Sequence, residues 1–74
     1  MARTFNKMVE ENTVFLTIYE NDKQIWENAF PSIPAFEING LVEVEEGLRG
    51  LGKDPLTGAE IAQLNAWGAT GTES

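Results

Sequence analysis

The 74-residue sequence contains no cysteine and no histidine. The first absence removes disulfides and thiolate ligands, and the second removes the one side chain that titrates, unperturbed, near neutrality. Together they exclude Cys–His and Ser–His–Asp arrangements and any imidazole or thiolate zinc site. The serines do not make good the loss: Ser32 lies beside prolines and Ser74 is the final residue. No catalytic residue, metal ligand or cofactor is therefore expected, and the chain is read as not an enzyme.

Positive charge is also scarce. Five Lys and Arg stand against twelve Asp and Glu, a formal net charge of −7. That balance disfavours direct contact with nucleic acid or an anionic membrane, both of which attract cations. It leaves room for a protein partner with a basic surface. Long apolar runs are missing as well: Val14-Phe15-Leu16 is far shorter than a signal-peptide core or a membrane span. With no cysteine to staple a secreted domain, a cytoplasmic location is expected.

What is present suffices for a folded body. Hydrophobic residues make up 42% and charged residues 23%, too apolar a mixture for a disordered chain. A chain this short is one small domain with an economical core. The expected organisation is a leader over 1–12, a single α+β domain over 13–68 and a flexible tail over 69–74. In the leader, Phe5, Met8 and Val9 have the spacing of one helical turn, with a frayed arm as the equal alternative.

The clearest element is a β-hairpin over about 13–30. Thr13 to Glu20 and Lys23 to Phe30 are rich in β-branched and aromatic residues, and Asn21-Asp22 between them tolerates the positive φ of a tight turn. An unbroken register sets Tyr19 opposite Gln24, Ile18 opposite Ile25 and Thr17 opposite Trp26. Side chains alternate between faces. Val14, Leu16, Ile18, Ile25 and Ala29 then share one side, with Glu27 as a misfit. Phe15, Thr17, Tyr19, Trp26 and Phe30 share the other. Both sides are apolar, which a sheet with one solvated face does not require.

Pro31-Ser32-Ile33-Pro34 reads as a connector. Leu41, Val44, Leu48 and Leu51 then follow a helical period, which predicts a helix over about 39–51. The alternative is a second hairpin at Asn39-Gly40, giving a four-stranded antiparallel sheet plus a C-terminal helix. Gly52-Lys53-Asp54-Pro55 is a stop signal, and Thr57-Gly58-Ala59-Glu60 fits a capping box. The second helix is expected over about 58–67, ended by Gly68.

Three motifs are set aside. Gly47-x-x-Gly50-x-Gly52-Lys53 lacks the hydroxyl residue and the preceding strand of a phosphate loop. Glu43, Glu45 and Glu46 read as a solvated helix side rather than a pair of catalytic carboxylates. Glu20-Asn21-Asp22 lacks the spacing and the central glycine of a calcium loop.

The expected function is binding. The candidate surface is the aromatic side of the hairpin, Phe15, Tyr19, Trp26 and Phe30, with Glu37, Glu43 and Glu46 as an acidic rim. Such a module would serve as an adaptor or inhibitor of a partner protein. The profile is similar in class, though in no motif, to small phage-encoded inhibitors of host enzymes. The alternative is a self-associating structural or assembly subunit, a homodimer for example.

Overall fold

A computed structural model describes residues 3–69. The order of elements is β1 (Arg3–Glu10), β2 (Thr13–Glu20), β3 (Lys23–Phe30), α1 (Ile33–Gly50) and α2 (Gly58–Ala66), an α+β chain. It divides into two compact units, Met1–Ile33 and Pro34–Ser74.

The first unit is a three-stranded antiparallel meander in the order β1-β2-β3. The leader is therefore a strand rather than a helical turn, with Arg3 to Glu10 paired residue for residue with β2. The helical spacing of Phe5, Met8 and Val9 is overridden because pairing satisfies the backbone of eight residues, whereas one isolated turn satisfies very little. Phe5 opposes Ile18 and is buried, while Met8 opposes Phe15 on the other side.

Two-residue turns join the strands. Glu11 and Asn12, like Asn21 and Asp22, all have positive φ, as a type I′ turn requires at both central positions. Asn and Asp tolerate this region; Glu11, at φ 51°, does so less readily. Glu11→Asn is expected to raise the unfolding free energy by roughly 0.5–1 kcal/mol, by relieving that penalty. A urea midpoint that stays put or falls would contradict it.

The hairpin of β2 and β3 forms as expected, but its register slips. Tyr19 opposes Gln24 and Glu20 opposes Lys23, yet Ile18 opposes Trp26. Ile25 is the extra residue of a β-bulge, which leaves two residues facing one. From there to Phe30 every β3 side chain lies on the side opposite to that expected. Trp26, Asn28 and Phe30 join Val14, Leu16 and Ile18, while Glu27 and Ala29 turn to the other side. The misfit of Glu27 disappears. Phe5, Val14, Leu16, Ile18 and Phe30 are the buried residues of this unit.

The second unit holds the helices. Here α1 begins at Ile33, six residues before the expected start, and the second hairpin at Asn39-Gly40 does not form. Pro34 is tolerated because a first-turn N–H has no partner within the helix anyway, and Ser32 precedes the helix as a residue type favoured there. With the longer helix the buried stripe is Phe36, Gly40, Val44 and Leu48, each four residues from the last. Leu41 is half-buried and Leu51 exposed, so the expected stripe is rotated rather than lost.

Helix α2 matches its expected span closely. The Thr57 N–H donates to Glu60 Oε1 at 3.0 Å, and the Glu60 N–H donates to Thr57 Oγ1 at 3.2 Å. The capping box is complete. Both helices end alike. The Lys53 N–H donates to the Leu48 carbonyl and the Gly52 N–H to that of Arg49, at 2.9 and 3.1 Å. The Ala69 N–H likewise donates to Leu64 and the Gly68 N–H to Asn65, both at 2.9 Å. These are Schellman motifs, and Gly52 and Gly68 supply the positive φ each needs. Ala69 is thereby fixed and buried, not part of a free tail; the remainder of the expected tail, 70–74, lies outside the described residues.

Candidate functional site

The expected aromatic patch does not assemble. Phe30 is only 2% exposed and belongs to the buried side of the sheet, and Trp26 lies on that same side, half-buried. The cause is the bulge: one extra residue reverses the side to which the rest of β3 points. Phe15 and Tyr19, ahead of the slip on the partner strand, keep their expected side and are half-buried.

That side carries three cross-strand rows. Met8, Phe15 and Ala29 form the first, Asn6, Thr17 and Glu27 the second, and Thr4, Tyr19 and Gln24 the third. Two aromatic residues thus stand about 13 Å apart along β2, with Thr17 between them. Met8 extends the apolar row toward β1 and is 54% exposed. The Gln24 amide donates to Glu27 Oε1 at 3.4 Å, bridging the bulge along this side. The surface offers an apolar row and a tyrosine separated by a polar row that carries an amide, a hydroxyl and a carboxylate. Met8 was missed from the sequence because Glu11-Asn12 is an unobvious turn; reading it as one would have put Met8 across from Phe15.

The acidic residues do not form one cluster. At 100° per residue, Glu43 and Glu46 are neighbours on α1, three positions apart, while Glu37 points elsewhere and lies beside Gly68. Glu37, Glu45 and Glu46 are exposed and Glu43 is half-buried. A shallow depression of about 210 Å³ is lined by Glu45, Arg49, Lys53 and Pro55. It brings both basic residues of the second unit beside a carboxylate, so its field is mixed.

A feature not anticipated lies on the outer side of α1. Ile38 is 64% exposed and Val42 is 42% exposed. Val42 falls directly opposite the buried stripe, and Ile38 lies one turn before it. A surface helix normally presents polar residues there. The signal was in the sequence: starting the helix at Ser32-Ile33-Pro34 instead of Asn39 brings Ile38 into the helix and sets both residues on its outer side.

Among the described residues no group of three or more His, Cys, Asp and Glu side chains could hold a metal ion. No helix among them is long and apolar enough to cross a membrane. No family model matches the chain, and no significant match emerged from comparison with curated proteins or with solved structures.

Proposed function

We propose that this chain is a small acidic, non-catalytic protein-binding module, an adaptor or inhibitor that engages a partner protein through the Phe15–Tyr19 side of its sheet. The observation that supports this reading most is the Met8–Phe15–Ala29 row with Tyr19 beyond it, apolar contact surface on the side that does not carry the buried residues. Aromatic side chains supply large contact area at low entropic cost and are enriched at binding hot spots. The acidic excess favours a partner whose facing surface is basic, through steering more than through raw affinity. The lack of histidine and cysteine fits a role that needs no nucleophile or base.

The test replaces Phe15 and Tyr19 by threonine, which retains strand propensity. Immobilised wild-type protein and the Phe15→Thr/Tyr19→Thr variant are compared for retention of lysate proteins at low and high salt. The variant should stay folded by circular dichroism and lose the retained partner by about tenfold or more, equivalent to 1.4 kcal/mol. Undiminished retention by a folded variant would refute the assignment of this side. Self-association is the second reading, since β1 and β3 are edge strands. Sedimentation over a range of concentrations separates it, because only that reading requires a concentration-dependent mass.

A further inference from the structure

Of the asparagines in the sequence, only Asn39 is followed by glycine. Such a pair is open to a reaction that needs water and no enzyme, because glycine has no side chain to shield its main-chain nitrogen. We infer that Asn39-Gly40 is a spontaneous deamidation site gated by α1 itself. The intact helix holds the pair inert. When α1 unwinds, Asn39 converts to aspartate or isoaspartate, and the isoaspartyl chain does not rebuild the helix. The site acts in this way whatever the chain binds.

The chemistry is an intramolecular displacement. The Gly40 nitrogen attacks Asn39 Cγ and forms a new C–N bond. The Cγ–Nδ2 bond breaks, and ammonia departs with the Gly40 proton. Water then opens the five-membered imide. Cleavage at Cγ leaves aspartate, whereas cleavage at the main-chain carbonyl leaves isoaspartate, in which the chain runs through Cβ. The sum is one water consumed and one ammonia released.

The fold opposes ring closure. Asn39 and Gly40 lie well inside the helix Ile33–Gly50, so the Gly40 N–H is held by the Phe36 carbonyl four residues back. Ring closure eclipses the attacking nitrogen with Cβ about the Cα–C bond, whereas a helical ψ of about −42° keeps the two roughly 80° apart. Nor can the segment swivel in place. Gly40 is buried, and a β-carbon added to it would lie 2.7 Å from that of Ala69. The Asn39 side chain is exposed, so access of water is not what protects it. The block is conformational. Helix opening is far faster than deamidation, so the rate follows the population of opened molecules.

The isoaspartyl product adds one atom to the main chain between Phe36 and Gly40. The buried stripe of Phe36, Gly40, Val44 and Leu48 depends on strict four-residue intervals. An extra atom puts Phe36 out of phase with the other three. Each excursion of α1 is thus open to being recorded covalently.

The intact chain is incubated in mildly alkaline buffer, with and without guanidinium chloride. Mass spectrometry of the peptide containing Asn39 reads the replacement of NH2 by OH. Deamidation in buffer should be at least about tenfold slower than in denaturant, by the ratio that the open fraction sets. Phe36→Ala should speed it by about tenfold or more in buffer and leave the rate in denaturant unchanged. If that variant does not fold, its two rates should coincide. Equal rates for the wild-type chain in buffer and denaturant would overturn the gate. So would a folded Phe36→Ala variant that reacts no faster than wild type in buffer. The isoaspartyl form, isolated by chromatography, should recover less helical signal than the unmodified chain once denaturant is removed. Full recovery would overturn the claim that the helix does not rebuild.

Discussion

Phe36→Ala is expected to lower the unfolding free energy by about 3–5 kcal/mol, the cost of deleting a buried aromatic ring and leaving its cavity. Phe36 is 1% exposed and opens the buried stripe of α1, where its ring also lies close to Gly40. A folded chain of 74 residues has roughly 4–11 kcal/mol of stability in all. The loss is therefore a large share of the total, and much of the variant population should be unfolded under mild denaturant. Urea unfolding followed by circular dichroism and by tryptophan fluorescence measures it. A loss under about 1 kcal/mol would mean that the site collapses without a void, and that Phe36 is not the anchor its burial implies.

The second large effect runs against helix propensity. Alanine is the better helix former by about 1 kcal/mol, so glycine to alanine within α1 should stabilise wherever there is space. At Gly50 there is space: a β-carbon would meet nothing within 4 Å. At Gly40 it would lie 2.7 Å from the β-carbon of Ala69 and 3.4 Å from the Phe36 ring. Ala69 has little freedom to retreat, because its N–H is bound to the Leu64 carbonyl at the end of α2. Overpacking of this kind costs about 1–3 kcal/mol, more than the propensity gain. Gly40→Ala should thus destabilise by up to about 2 kcal/mol, while Gly50→Ala stabilises by up to about 1 kcal/mol. Equal shifts of the same sign in the urea midpoints would show that the close approach at Gly40 does not constrain the helix pair.

Turn chemistry was the most legible layer of the sequence. Asn21-Asp22 announced the first hairpin, Thr57 and Glu60 the start of α2, and Gly52 and Gly68 the two helix ends, because each acts through its own backbone and needs no distant partner. Side-chain parity along β3 was less legible. In K-Q-I-W-E-N-A-F both alternating sets contain apolar residues, so nothing local chooses between them, and only the pairing with β2 shows that Ile25 is extra. Glu27 on an otherwise aliphatic side is the one local sign that the continuous register does not fit. The early start of α1 was hidden for another reason. Asn39-Gly40 is a strong turn signal in isolation, but here the glycine serves close approach to Ala69 instead of a positive φ. Of the expected binding residues, Phe15 and Tyr19 stay together on one side. Trp26 and Phe30 were misplaced by the same one-residue slip.

The bulge gives the ribbon a reading frame, and Ile25 is the single letter that stands outside it. Dropping that letter would leave every other partnership of β3 in phase, from Lys23 with Glu20 through Phe30 with Val14. The same deletion between Trp26 and Phe30 would turn part of the strand inside out, carrying polar groups inward and an aromatic ring toward water. Length in this strand is thus negotiable at one address only. A lineage of such chains can gain or shed a residue there while keeping the same aromatic rings indoors.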